Sequence, residues 1–191
     1  MEDSELRALL EMNHQASYGW ALGCCARDPA EAESVLQAVY LKVLEGRARF
    51  EGRSSFKTWL FAVIRKTALD ERRRNMLRGL RLLRFGQAAM FRAPEESPDE
   101  AVYRSQIEIL FRRALSRLPR RQREVLHLVF YHDFTLAGAA EVMGCSIGSA
   151  RTHYERGKKR LYKLIDETGV FDESGFAREE NKTTVPRPWP R

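Results

Sequence analysis

Between Thr135 and Leu161 the chain carries three local signals in fixed order: a residue able to cap a helix start, a glycine able to end that helix, and a serine able to cap the next. Thr135 is expected to cap a helix running to Val142 or Met143, Gly144 to take the left-handed conformation that stops it, and Ser146 to cap the second helix. Ala140, Gly144 and Ala150 are small where the two helices and their turn should approach most closely. The spacing therefore predicts a helix-turn-helix. On its second helix Ile147, Ala150, Tyr154, Gly157 and Leu161 share one face at helical periodicity and are expected to pack inward. The opposite face then carries Arg151, Thr152, Glu155, Arg156, Lys158 and Lys159. That is a set suited to phosphates and base edges in the major groove of duplex DNA: arginine for guanine, glutamate for the cytosine amino group, lysine for phosphate.

The rest of the chain reads as all-α. Apolar residues recur at three and four spacing around Leu6, Leu9 and Leu10, along Val35, Leu36, Val39, Tyr40, Val43 and Leu44, and along Trp59, Leu60, Val63, Ile64, Thr67 and Ala68. Breaks fall at Asp28-Pro29 and in the Gly/Ser loop from Phe50 to Ser55. After a helix ending in Arg72, Arg73 and Arg74, periodicity fades over 76–104, through Pro94 and Pro98. It returns at Ile107, Leu110, Phe111, Ala114, Leu115 and Leu118, with Pro119 expected at the first position of the following helix. The sequence thus divides into a helical domain over 1–75, a flexible linker over 76–104, a second helical domain with the helix-turn-helix over 105–167, and a disordered tail over 168–191.

Charge follows this division. The net charge is +7, but residues 46–92 sum to +10 and residues 111–165 to +8, with acidic segments between and around them. Two basic islands suit a polyanion held at two places. In the first island Phe50, Phe56 and Trp59 alternate with Arg53, Ser54, Ser55, Lys57 and Thr58, a composition able to pocket unpaired bases while holding the backbone. No signal-peptide layout or bilayer-length apolar run is present, so the chain is expected in the cytoplasm. Cys24, Cys25 and Cys145 have no metal-ligand spacing, His14, His127, His132 and His153 are scattered, and there is no phosphate loop. No cofactor, metal or enzymatic activity is expected.

Taken in order, these segments resemble a bacterial extracytoplasmic-function sigma factor of the sigma-70 family. Asp28 to Gln37 is similar to the helix start that docks on the clamp helices of the RNA polymerase beta-prime subunit. Phe50 to Arg74, with Ser54-Ser55-Phe56-Lys57-Thr58-Trp59-Leu60, is similar to the part of sigma domain two that melts and reads the minus-10 element. Leu115 to Leu126, continuing to Leu161, is similar to sigma domain four, which reads the minus-35 element and contacts the beta flap. The resemblance implies core polymerase contact through Glu33, Leu36, Gln37, Tyr40 and Leu41 on a helix whose Val35, Val39 and Val43 also take part. It implies minus-10 contact through Arg53, Ser54, Ser55, Lys57, Thr58, Arg65, Lys66 and Arg73, and minus-35 contact through the six residues of the second turn helix. An anti-sigma factor is a further partner the resemblance implies. Gly138 departs from the family, which places Glu there, and so removes half of a capping box with Thr135; the first turn helix should be the softer one. The other reading of these residues is a regulator of the LuxR type, but 1–75 lacks the α/β alternation of a receiver domain.

Overall fold

The computed structural model describes residues 3–84 and 106–167, and all regular structure among them is helical. The first domain contains α1 (Asp3–Met12), α2 (His14–Cys24), α3 (Pro29–Leu44) and α4 (Phe56–Arg84). The second contains α5 (Gln106–Ser116), α6 (Arg120–His132), α7 (Leu136–Met143) and α8 (Ile147–Asp166). The linker expectation from residue 85 onward and the expected tail lie outside the described residues.

Local chemistry sets the helix starts. Asp28 accepts a hydrogen bond from the Glu31 amide at 3.0 Å, with Pro29 in the first turn of α3. Ser55 does the same for α4, its Oγ accepting from the Thr58 amide at 3.1 Å. Helix α3 then presents Val35, Leu36, Val39 and Val43 to α2 and α4, and α4 returns Leu60, Ile64, Thr67 and Ala68, all buried. Trp20 on α2 closes this core at 1% exposure, its indole N–H donating to the Phe61 carbonyl at 3.0 Å.

Four expectations need correction. Helix α4 does not end at Arg74 but runs to Arg84, so Arg72, Arg73 and Arg74 are exposed interior positions of a longer helix. No proline interrupts the sequence before Arg84, and its Leu, Met and Arg residues favour the helix enough to carry it through the single Gly79. Pro119 is the cap of α6, whose first residue is Arg120. Val35, Val39 and Val43 belong wholly to the core and offer no surface to a partner. Ile147, placed on the inward face, is 52% exposed, because the first turn of α8 projects beyond the body of the domain.

The helix-turn-helix forms with the expected caps. Thr135 Oγ1 accepts from the Gly138 amide at 3.1 Å, Gly144 is left-handed at φ 60°, and Ser146 Oγ accepts from the Ser149 amide at 3.2 Å. Gly144 serves this conformation alone, since a Cβ there would meet nothing within 4 Å. The close approach falls instead at Gly157, where a Cβ would lie 3.1 Å from Leu126 Cδ1 and 3.2 Å from Gln122 Cβ. Replacing Gly157 with Leu should therefore wedge α8 off α6 and cost about 1–3 kcal/mol, read as a lower denaturant midpoint at unchanged slope.

Candidate nucleic-acid interface

On α8, Ala150, Gly157 and Leu161 are buried and Tyr154 is half-buried. The face opposite is open: Arg151, Thr152, Glu155, Arg156 and Lys159 are exposed, and Lys158 is half-covered as its ammonium lies 5.3 Å from the Tyr154 ring centre. Thr152 donates to the Gly148 carbonyl at 2.9 Å, which restrains its rotamer. The six residues named from sequence thus share one helix face, held by a turn that Arg121 buttresses with a hydrogen bond to the Met143 carbonyl at 3.2 Å.

In the first domain Phe50, Phe56 and Trp59 form a tilted aromatic cluster with ring centres 5.3–5.5 Å apart. Beside it Arg49, Phe50, Glu51, Arg53, Ser54 and Trp59 line a pocket of about 260 Å³. Arg53 pairs with Glu51 at 2.7 Å and is otherwise exposed, as are Ser55, Lys66 and Arg73. His14, Tyr18, Glu33, Leu36, Gln37 and Tyr40 line a shallow groove of about 420 Å³, in which Leu36 is buried; Leu41, on the same helix, is 54% exposed.

Three of the proposed minus-10 residues are not on a free surface. Thr58 is buried and hydrogen-bonds Ser55 at 2.8 Å as part of the α4 cap. Lys57 Nζ donates to the His132 carbonyl at 2.9 Å and lies over the Phe61 and Phe134 rings. Arg65, 8% exposed, gives two hydrogen bonds to Glu124 Oε2, at 3.1 and 3.2 Å, while Arg120 holds the other oxygen at 3.1 Å. Lys57 and Arg65 are therefore engaged by the second domain.

That contact is the part of the molecule the sequence did not announce. Helix α6 packs on α2, and α7 on α4. His127 and His132, scattered by position, meet at 5.0 Å between ring centres; both touch Trp20, and His132 also stands edge-on to Phe61 at 4.8 Å. Burial depresses both imidazoles: His127 to about 4, with Arg27 and Arg123 adding to the effect, and His132 to about 3, helped by His127 and Lys57. Cys24, close by, has its thiol pushed up by burial and by Glu124, and Cys25 rises to about 12 through burial, Glu31 and Asp28. Both thiols stay protonated. Among the described residues no group of His, Cys, Asp and Glu could hold a metal ion, and no helix is long and apolar enough to cross a membrane.

The geometry defines a two-domain helical protein with an aromatic-basic pocket in one domain and an exposed, mainly basic helix face in the other. Residues 9–78 match sigma-70 region 2 and residues 108–161 match sigma-70 region 4. The chain is 31% identical to the ECF RNA polymerase sigma factor SigX of Bacillus subtilis over 97% of both chains, and 26% identical to ECF sigma factor EcfG of Rhodopseudomonas palustris over 74% of this chain and 75% of that one. It also resembles the sigma factor RpoE of Bartonella quintana, solved with the anti-sigma factor NepR, at a TM-score of 0.69 and 25% identity, over 88% of this chain and 99% of that one. The chain belongs to the ECF RNA polymerase sigma factors of the sigma-70 family. This supports sigma-factor function over that of a LuxR-type regulator.

Proposed function

We propose that this chain binds core RNA polymerase in the cytoplasm, carries it to promoters, and contributes recognition and strand opening rather than catalysis. The observation that carries the reading is the pairing of two separate nucleic-acid surfaces in one chain: the α8 face for duplex and the Phe50–Trp59 pocket for an unpaired base. An extruded base held in that pocket would offset an unstacking cost of a few kcal/mol. The α8 residues Arg151, Thr152, Glu155, Arg156, Lys158 and Lys159 are assigned to the minus-35 element. Arg53, Ser54, Ser55, Lys57, Arg65, Lys66 and Arg73 are assigned to the minus-10 region, with Thr58 supporting them from the α4 cap. The groove over Leu36, with Glu33, Gln37, Tyr40 and Leu41, is assigned to the beta-prime clamp, and the second domain also to the beta flap. An anti-sigma factor is the expected regulator.

The test is reconstitution with bacterial core polymerase on a promoter library, where sequence-selected initiation is expected; no initiation anywhere would overturn the reading. Within that assay Arg151→Ala should relax preference at one upstream base pair by about 1–3 kcal/mol. Lys158→Ala should weaken all promoters alike and lower the salt slope by about one. Equal effects of the two would place the reading face elsewhere on α8.

A further inference from the structure

The exposed face of α8 carries one residue whose charge has the wrong sign for its surroundings. Opposite the inward residues Ala150, Gly157 and Leu161, helical spacing puts Gly148, Thr152, Glu155 and Lys159 along the middle of the outward face, with Arg151 and Arg156 flanking them. Glu155 is exposed, and among the described residues it makes no ion pair or hydrogen bond, although Arg151 and Lys159 each stand one helical turn away. Such spacing does not forbid pairing, since Lys163 and Glu167 pair at 3.9 Å further along the chain. Lys158 is drawn instead over the Tyr154 ring. Gly148 adds no side chain to the line, although the space is open: a Cβ there would meet only Ser146 Oγ, at 4.0 Å. Thr152 gives its hydroxyl proton to the Gly148 carbonyl at 2.9 Å, which leaves its oxygen as an acceptor. Before Lys159, the side chains in the middle of the face therefore offer acceptors alone, from Thr152 and Glu155.

A carboxylate carried into a groove walled by phosphates is repelled at every sequence except one that presents hydrogen-bond donors to it. In the major groove those donors are the exocyclic amino groups of cytosine and adenine; guanine and thymine present carbonyl oxygens in the same places. We propose that Glu155 is a specificity-determining residue that works by exclusion. It accepts from the amino group of cytosine or adenine at one position of one upstream strand, and its charge turns the chain away from duplexes that present an oxygen there. The proposal rests on the assignment of the α8 face to the minus-35 element and names the chemistry read at the centre of that face. The flanking arginines attract any duplex through its phosphates, so the acid lowers overall grip while sharpening discrimination. Its effect on a poor site is thus opposite in sign to that of every cation around it.

Initiation by the full chain with core polymerase, read across a library of upstream elements, tests this. Wild type should prefer cytosine or adenine over guanine and thymine by about tenfold at one position of one strand. Glu155→Ala should flatten that position alone and raise initiation from the promoters that wild type rejects there. A second arm replaces the preferred base by an analogue without the amino group, pyrimidinone for cytosine or purine for adenine. The analogue should cost wild type about tenfold and Glu155→Ala nothing. Equal loss at every promoter in Glu155→Ala would assign the residue a structural role and overturn the proposal, as would an equal effect of the analogue on both proteins. A wild type that initiates nowhere would overturn the sigma-factor reading; a selective wild type whose preferences survive in Glu155→Ala would overturn this proposal alone.

Discussion

Trp20→Ala is expected to lower the stability of the first domain by about 3–5 kcal/mol, the range for deleting a fully buried large aromatic. The indole lies parallel to the Phe61 ring at 5.7 Å, donates to the Phe61 carbonyl, and is 1% exposed, with α4 on one side and His127 and His132 of α6 on the other. A domain of this size has only a few kcal/mol in hand, so most of the population should unfold. Trp20→Phe keeps a ring in the slot and loses chiefly the hydrogen bond and some volume, so it should cost less than half as much. Urea unfolding followed by circular dichroism measures both. Near-equal midpoints for wild type and Trp20→Ala would mean the packing around this indole is not where the stability resides.

Acidification from about pH 7.5 to about pH 5.5 should weaken the contact between the domains, favouring an open form with them parted over the closed form with them packed by about a hundredfold, because each imidazole freed to its ordinary pKa, about 6.5, contributes about tenfold. Within the closed form His127 titrates near 4 and His132 near 3, both held down first by burial. The sign follows from proton uptake. Folded-state values below the open-state value mean the closed form is fully stable above pH 6.5 and loses stability as pH falls toward the depressed values. The charged groups around the pair act in the same sense or balance out: Arg27 and Arg123 face His127, Lys57 faces His132, and Glu124 is already shared by Arg65 and Arg120. Scattering across this range should show expansion in wild type and a flat profile when both histidines are replaced by Phe. Expansion of equal size in the double variant would assign the pH dependence to other groups.

Much of the fold is legible in sequence because its signals are local. Thr135, Gly144 and Ser146 act on backbone groups within a few residues of themselves, so their caps and turn follow from residue type and order. The exposed α8 face follows from periodicity once the inward residues are known. The end of α4 does not, because the Leu/Arg stretch from Leu77 lacks an amphipathic stripe yet has high helix propensity, and propensity prevailed. The domain contact was the least legible. It joins residues 59 and more apart in sequence, such as Arg65 with Glu124, and pairing over that range leaves no periodic trace. One trace existed: on α4 Phe61 and Arg65 sit beside the Leu60–Ile64 stripe, widening the apolar face beyond what α2 and α3 cover. A buried arginine at the margin of such a face signals a counter-charge from elsewhere in the chain.

The missing side chains at Gly23 and Gly138 bear on how this chain can be engineered, because a Cβ would lie 2.6 Å from His127 Nδ1 at the first and 3.0 Å from Phe134 Cδ1 at the second. Each glycine sits within a helix, where alanine would raise helix stability by up to about 1 kcal/mol. A stabilisation campaign scored on melting temperature would therefore favour filling both positions. The variants it selected would have firmer helices and looser coupling between them. For a chain whose two domains meet beside these glycines, thermal robustness and the fit between the domains are opposed at these two sites, and selection on one should be checked against the other.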